Sequence, residues 1–274
     1  MSGASDDVLE HYGDADERGR LDSPLGIVEF ERTIEILAEP LPHPPAVVAD
    51  IGGGPGRYSL WLAERGYTVR HRDIVPKHVE QLRADAAVRG LNVATTVGDA
   101  RAIDLADGGA DAVLLLGPLY HLPARADRLQ ALGEACRVVR PGGLVFAAAI
   151  SRWAPRLHGE VVERLDLEFP SIGHQVETVE RSGRLLELFP GSFSGYCHRP
   201  GQLRAEVRAA GLDVVDLVSV EGIAFALSDL DARLADPRGR AVVLAAAREL
   251  GRIPELLGIS PHLLATARRP DQRS

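Results

Sequence analysis

The sequence predicts an α/β fold with a mostly parallel seven-stranded sheet and helices on both faces. Two observations predict it. Short apolar runs alternate with helical patterns from residue 46 to residue 150, which is the rhythm of βαβ units. Several of those runs are continuously apolar, as suits strands covered on both sides. With 274 residues, the chain is long enough for one large α/β domain, or one domain with a substantial insertion.

The elements follow in order. Residues 1–25 read as a polar arm with helical potential. Ile27, Phe30, Ile34 and Leu37 fall at helical spacing, and Pro40, Pro42, Pro44 and Pro45 end that helix. Strands are expected at 46–51, 67–72, 92–97 and 110–116, with helices at 57–65, 77–89 and 124–139. Pro141-Gly142-Gly143 stops the last of these, and 144–150 reads as a buried strand. The rhythm then breaks. Residues 152–198 hold a helix at 155–167 and an irregular stretch rich in Gly, Ser, His and aromatics. A helix at 200–210, a strand at 212–220, two helices within 226–257 and a strand at 260–267 complete the pattern. Four regions result: an arm with lid helices (1–45), a core (46–151), an insertion (152–198) and a C-terminal completion of the core with extra helices (199–274). The insertion is expected to cap the carboxyl edge of the sheet, where open α/β sheets bind ligands.

Composition excludes several classes. The formal net charge is −8 and the arginines are interleaved with acids, so no nucleic-acid partner is expected. No run approaches the roughly 18 apolar residues that cross a bilayer, and no membrane partner is expected. The first 16 residues are acidic and polar, unlike a signal peptide. Cys136 and Cys197 form no CxxC pair, which suits free thiols in a reducing cytoplasm. The histidines lack ligand spacing such as HxxxH, and no metal is expected.

The strongest chemical signal is Asp50-Ile51-Gly52-Gly53-Gly54-Pro55-Gly56, directly after a strand and before a helix. Glycines let the backbone turn sharply and approach a ligand. The helix N-terminus beyond them offers free N–H groups. The third glycine of a GxGxxG dinucleotide pattern would fall on Arg57 and is missing. Asp73 ends the second strand, 17 positions beyond Gly56, and Val97-Gly98-Asp99-Ala100 follows the third.

The segment 47–151 resembles the Rossmann-like core of class I S-adenosylmethionine-dependent methyltransferases, in particular the bacterial small-molecule type called methyltransferase type 11. Asp50, Gly52, Gly54 and Gly56 match the family's first motif. The resemblance implies S-adenosylmethionine as cofactor and S-adenosylhomocysteine as product. It also implies that the glycine loop holds the methionine part, that Asp73 accepts the ribose hydroxyls, and that Asp99 and Ala100 read the adenine. One departure is that Arg70, His71 and Arg72 replace the usual small apolar residues before Asp73.

After the fourth strand, Leu116-Gly117-Pro118-Leu119-Tyr120-His121-Leu122 resembles a sequence of one bacterial branch of that family. Gly117 would let the backbone approach the cofactor, and Tyr120 and His121 would then stand near the methyl group. A histidine side chain ordinarily titrates near neutrality, so His121 could take an acceptor's proton. Tyr12 and Arg32 in the arm, and Trp153, His174 and Tyr196 in the insertion, are candidate acceptor contacts. The reading is therefore methyl transfer to O, N or S of a small organic acceptor, a secondary metabolite, by a monomer or homodimer. An NAD(P)-dependent oxidoreductase and a non-catalytic cofactor-binding module are the alternatives.

Overall fold

The computed structural model describes residues 8, 9, 12, 17–187 and 194–271. These contain strands β1 (Val47–Ile51), β2 (Thr68–Asp73), β3 (Val93–Val97), β4 (Ala110–Leu115), β5 (Val139–Ser151), β6 (Arg184–Leu185), β7 (Gly195–His198), β8 (Asp213–Ser219) and β9 (His262–Arg268). Strands β3-β2-β1-β4-β5 run parallel in that order. β9 pairs antiparallel with β5, and β8 antiparallel with β9. This open seven-strand arrangement is the expected Rossmann-like sheet.

Two further short strands were not expected. β6 and β7 form a hairpin inside the insertion, and β7 extends the sheet by pairing with Ile150 and Ser151. Ile150 already pairs with His262 on its other side, so β7 continues the β4 side beyond the end of that strand. Pro141-Gly142-Gly143 also behaves differently from a plain break. The ladder jumps from Ala110–Val139 to Ala112–Leu144, and Gly142 takes the turn at φ +72°. The extra residues form a bulge within β5.

The helices are α1 (Pro24–Ala38), α2 (Arg57–Glu64), α3 (Pro76–Val88), α4 (Arg125–Val138), α5 (Ile172–Ser182), α6 (Pro200–Ala209), α7 (Leu230–Ala235) and α8 (Pro237–Leu250). α1 starts where Ser23 Oγ accepts from Gly26 N at 3.1 Å, with Pro24 at the first helical position. α5 lies in the stretch expected to be irregular. Its apolar face is thin, with Ile172, Val176 and Val179 alone buried, so the helical period is hard to see among polar neighbours.

Successive strand residues feed opposite faces. Ala49, Ile51, Val113, Leu115, Val145 and Ala147 pack with α4 and α6 residues such as Leu132 and Leu203. Val48, Ala112, Leu114, Phe146 and Ala148 pack with Leu37 of α1 and Leu62 of α2. Two filled faces explain the continuously apolar strands. Among the described residues, no helix is long and apolar enough to cross a membrane.

Candidate active site

The strand order reverses direction between β1 and β4, and a crevice opens at the carboxyl ends of the strands there. A cavity occupies it. Its floor is the glycine loop. Gly52 (φ +66°) and Gly54 (φ +57°) both need left-handed backbone. Gly52 N donates to Arg72 O at 2.7 Å, which ties the loop to β2. A Cβ on Gly52 would lie 2.6 Å from Pro118 Cγ, and one on Gly117 2.8 Å from Gly52 O. The two loops after β1 and β4 therefore touch through glycine. At Gly54 a Cβ would meet no atom within 4 Å.

Asp73 organises the second wall. Its Oδ2 accepts from Gly54 N at 2.7 Å, and its Oδ1 from Val75 N at 2.8 Å and from His78 Nδ1 at 3.2 Å. Burial alone would raise its carboxyl. The hydrogen bonds from His78 and from the backbone of Val75 and Gly54 outweigh that and hold it below the usual carboxylate range. His71, one of the departures from the family pattern, braces the floor from below. Its Nε2 donates to Gly54 O at 3.1 Å, and its Nδ1 accepts from Thr95 Oγ1 at 2.9 Å.

Gly98, Asp99, Ala100, Leu116, Gly117, Tyr120 and His121 also line the cavity. Asp99 is held by Arg101, with Nη2 2.6 Å from Oδ2 and Nε 3.0 Å from Oδ1. Tyr120 and His121 lie in a 3-10 turn, Pro118–His121. The roof comes from the N-terminal arm: Val8, Tyr12, Glu17, Arg18, Arg20 and Leu21 face the cavity. The Tyr12 hydroxyl lies 3.0 Å from His121 Nε2, and its ring meets the His78 ring edge-on at 5.3 Å. Burial pushes the phenols of Tyr12 and Tyr120 above their ordinary value. Both stay protonated near neutral pH, so neither is a base there.

The other candidates lie elsewhere. Asp50 is fully buried beneath the loop and accepts from Ser59 Oγ at 2.7 Å. Gly56 (φ +89°) packs against Leu82 and opens α2. Neither borders the cavity. Arg32 is buried on α1 and pairs with Glu35, which Arg248 also holds at 2.9 Å. Trp153 lines a different cavity with Arg156, Pro200 and Gly258. His174 is exposed on α5. Tyr196 lies on β7 with the Arg128 guanidinium 3.7 Å from its ring centre. None of these four lines the cavity at the carboxyl ends of the strands. Contrary to the expected cap, no described residue of 152–198 lines it either.

Sequence reasoning missed Arg20, Tyr58 and His78, which do border the cavity. It also missed a charged group behind it: Glu29, Glu221 and His262 place ligand-type atoms within 4.8 Å of one another. No short motif could flag that group, because its members come from α1, from the segment after β8 and from the start of β9.

The methyltransferase-domain family matches residues 48–143, the segment that builds this cavity apart from its roof. The chain is 30% identical over 189 residues to the ubiquinone/menaquinone biosynthesis C-methyltransferase UbiE of Acidiphilium cryptum, covering 65% of this chain and 74% of that protein. It is 29% identical over 181 residues to a ubiquinone biosynthesis O-methyltransferase of Methylobacterium nodulans, covering 66% of this chain and 65% of that one. A solved S-adenosylmethionine-dependent methyltransferase from Methanosarcina mazei shares the fold, with a TM-score of 0.60 at 17% identity over 86% of this chain and 98% of that one. The nicotinamide alternative gives way before these relations. A glycine loop that lacks the third dinucleotide glycine, read with them, makes the chain a member of the class I S-adenosylmethionine-dependent methyltransferases.

Proposed function

We propose that this methyltransferase modifies a small organic acceptor, a secondary metabolite, within the reducing cytoplasm. O, N and S are the acceptor atoms the sequence suggested, and the name of the Acidiphilium relative adds carbon. The observation that carries the reading is the roof. Tyr12, Arg18, Arg20 and Leu21 lie over the cavity, and Arg18 and Asp22 reach across to Asp85 and Arg57. A polymeric acceptor would have to displace that arm.

The residues fit the cofactor. Gly54 leaves open space where a side chain would stand, and a carboxylate held ionised at Asp73 can accept hydroxyl protons. The glycine loop would hold the methionine part, Asp73 the ribose, and Asp99 and Ala100 the adenine. When bound, S-adenosylmethionine supplies an electrophilic methyl group on a good leaving group. The protein's share is alignment and exclusion of water, which can lower a barrier by about 7–11 kcal/mol in favourable cases. Gly117 and Tyr120 would wall the methyl end. His121 would take a proton from a neutral acceptor once Tyr12 gives up its Nε2.

Calorimetry with S-adenosylmethionine, S-adenosylhomocysteine and NADH tests the cofactor part. Binding of the two sulfur nucleotides, lost in Asp73→Ala, is the expected result. An acceptor screen tests the rest. Turnover on RNA or protein, with failure on every small molecule, would overturn the acceptor class.

A further inference from the structure

Beside the cofactor cavity lies a much smaller pocket. Arg20, Tyr58 and Leu116 border both. Leu116 directly precedes Gly117 at the carboxyl end of β4, so the small cavity lies beside the region assigned to the methyl end. Its other walls are mostly apolar: Ala148, Val220 and Leu264, with Thr33. Charge gathers on one side, where Arg20, Glu29 and His262 face it.

Most hydrogen-bonding capacity in that charged group is used internally. Arg20 grips Glu29 through Nη1 at 2.6 Å and Nη2 at 2.9 Å. Glu221 is buried and accepts from Ser260 Oγ at 2.6 Å, from His262 N at 3.1 Å and from His262 Nδ1. Glu29 lies 3.9 Å from the same Nδ1. Two carboxylates therefore flank one ring nitrogen and fix it as a donor. The other, Nε2, has no hydrogen-bond partner among the described residues, and the ring borders the cavity. Burial opposes the charged form of His262, but the adjacent Glu221 and Glu29 outweigh it and push the ring up to about 9. At neutral pH both ring nitrogens carry protons.

We propose that the small pocket receives the oxygen end of the acceptor, whose ring lies at the methyl end of the larger cavity, and that His262 Nε2 donates to that oxygen when the acceptor is bound as its conjugate base, a phenolate or enolate. On binding, the acceptor's O–H bond breaks. The proton goes to solvent, and the electron pair stays on oxygen, where the imidazolium N–H meets it. A cationic donor between apolar walls favours the anion over the neutral form. Such an anion is nucleophilic at oxygen and, by delocalisation, at the adjacent carbon, so it needs no separate base. This rests on the reading that the cofactor fills the larger cavity. The same Glu29, Glu221 and His262 could face a divalent cation, but Arg20 on Glu29 and Nδ1–H on Glu221 already compensate both charges.

The test uses 4-nitrophenol, a single-ring phenol whose phenolate absorbs visible light, titrated across pH into the full chain saturated with S-adenosylhomocysteine. The expected result is a bound phenol about tenfold or more stronger as an acid than the free one. His262→Gln should abolish that shift and leave S-adenosylhomocysteine affinity within about twofold. Should the variant fail to fold, imidazole ¹⁵N NMR of the wild type reads the same contact: the Nε2 resonance of His262 moves when 4-nitrophenol is added. No binding, unshifted ionisation, or a shift that survives His262→Gln would overturn the proposal. So would Mg²⁺ or Zn²⁺ moving the His262 resonance where 4-nitrophenol does not. Failure of the wild type to bind S-adenosylhomocysteine would overturn the assignment of the larger cavity, and this subsite with it.

Discussion

The Tyr12 hydroxyl meets His121 Nε2 at 3.0 Å, joining the N-terminal arm to the loop after β4 across 109 positions of sequence. With Tyr12 held protonated by burial, its O–H donates and Nε2 accepts, which puts the ring proton on Nδ1. The contact fastens the roof and occupies the lone pair that a base would use. Tyr12→Phe removes it. One hydrogen bond is worth about 1 kcal/mol, so S-adenosylhomocysteine affinity should fall about fivefold by calorimetry. Unchanged affinity would mean that the arm is held by other contacts.

His121→Gln separates two sources of nucleophile. General-base catalysis contributes about 10²–10⁴-fold. A neutral amine or alcohol acceptor should lose turnover on that scale. A phenol that reaches the site already ionised should lose less than about tenfold, with cofactor affinity falling by no more than the about fivefold expected for losing the Tyr12 contact. Steady-state kinetics on both acceptor classes reads the difference. Equal, large losses on both would restore His121 as the base for all of them.

Gly54→Ala and Gly56→Ala should fail in different ways. Both positions have positive φ, which costs roughly 1–2 kcal/mol for a residue with a Cβ. At Gly54 the methyl would enter open cavity, so cofactor affinity should fall about tenfold or more while thermal stability drops modestly. At Gly56 the methyl would collide with Leu82, adding an overpacking cost of about 1–3 kcal/mol. That variant should show the lower melting temperature. The reverse ranking in calorimetry and thermal unfolding would contradict this division of labour.

What the sequence made legible was local. The strand runs from Val47 to Leu115 and the loop from Gly52 to Gly56 are short, contiguous patterns whose physics is set by near neighbours. Asp73 and Asp99 were reachable because each lies at or just beyond the carboxyl end of its strand. Side-chain direction across long separations was not reachable. Trp153, His174 and Tyr196 are residue types that often line pockets, yet the insertion turns them onto α5, β7 and a separate cavity. Arg32 was a candidate acceptor contact, but Glu35 one turn on pairs with it and lets it be buried away from the cavity. The Glu221–His262 pair spans 41 positions between β8 and β9, and only the antiparallel return of β9 brings the two together.

The same long-range packing fixes the loop after β4 from behind. Arg128 Nη1 donates to Leu122 O at 2.8 Å and Pro123 O at 2.9 Å, while Nε and Nη2 grip Glu206 at 2.9 and 2.8 Å. His198 adds a contact to Glu206 at 3.1 Å. Burial would raise Glu206, but Arg128 and His198 hold it down to about 2. A carboxyl depressed on folding contributes stability above its unfolded value, about 4.3, and loses it as pH falls towards 2. Glu206→Gln should destabilise the protein by about 3 kcal/mol near neutral pH, as removal of one partner of a buried pair does. It should also flatten the acid limb of the stability curve. Denaturant unfolding across pH checks both, and an unchanged acid limb would remove Glu206 from that account.

His262 should govern the alkaline limb. The groups facing it are Glu221 from the segment after β8, Glu29 from α1, Arg20 from the arm, and Tyr58 of α2 across the small cavity. Its folded value, about 9, lies above the unfolded value of about 6.5. A group raised on folding contributes stability that is fully present below the unfolded value and is lost as pH rises through the folded one. Stability should therefore decline between about pH 6.5 and 9, at a limiting slope of about 1.4 kcal/mol per unit. His262→Gln has no such proton and should show a flatter curve there, while keeping the acid limb set by Glu206. If wild-type stability stayed level or rose over that interval, the ring would not be held protonated by Glu221 and Glu29, and the cationic donor at Nε2 would be lost with it.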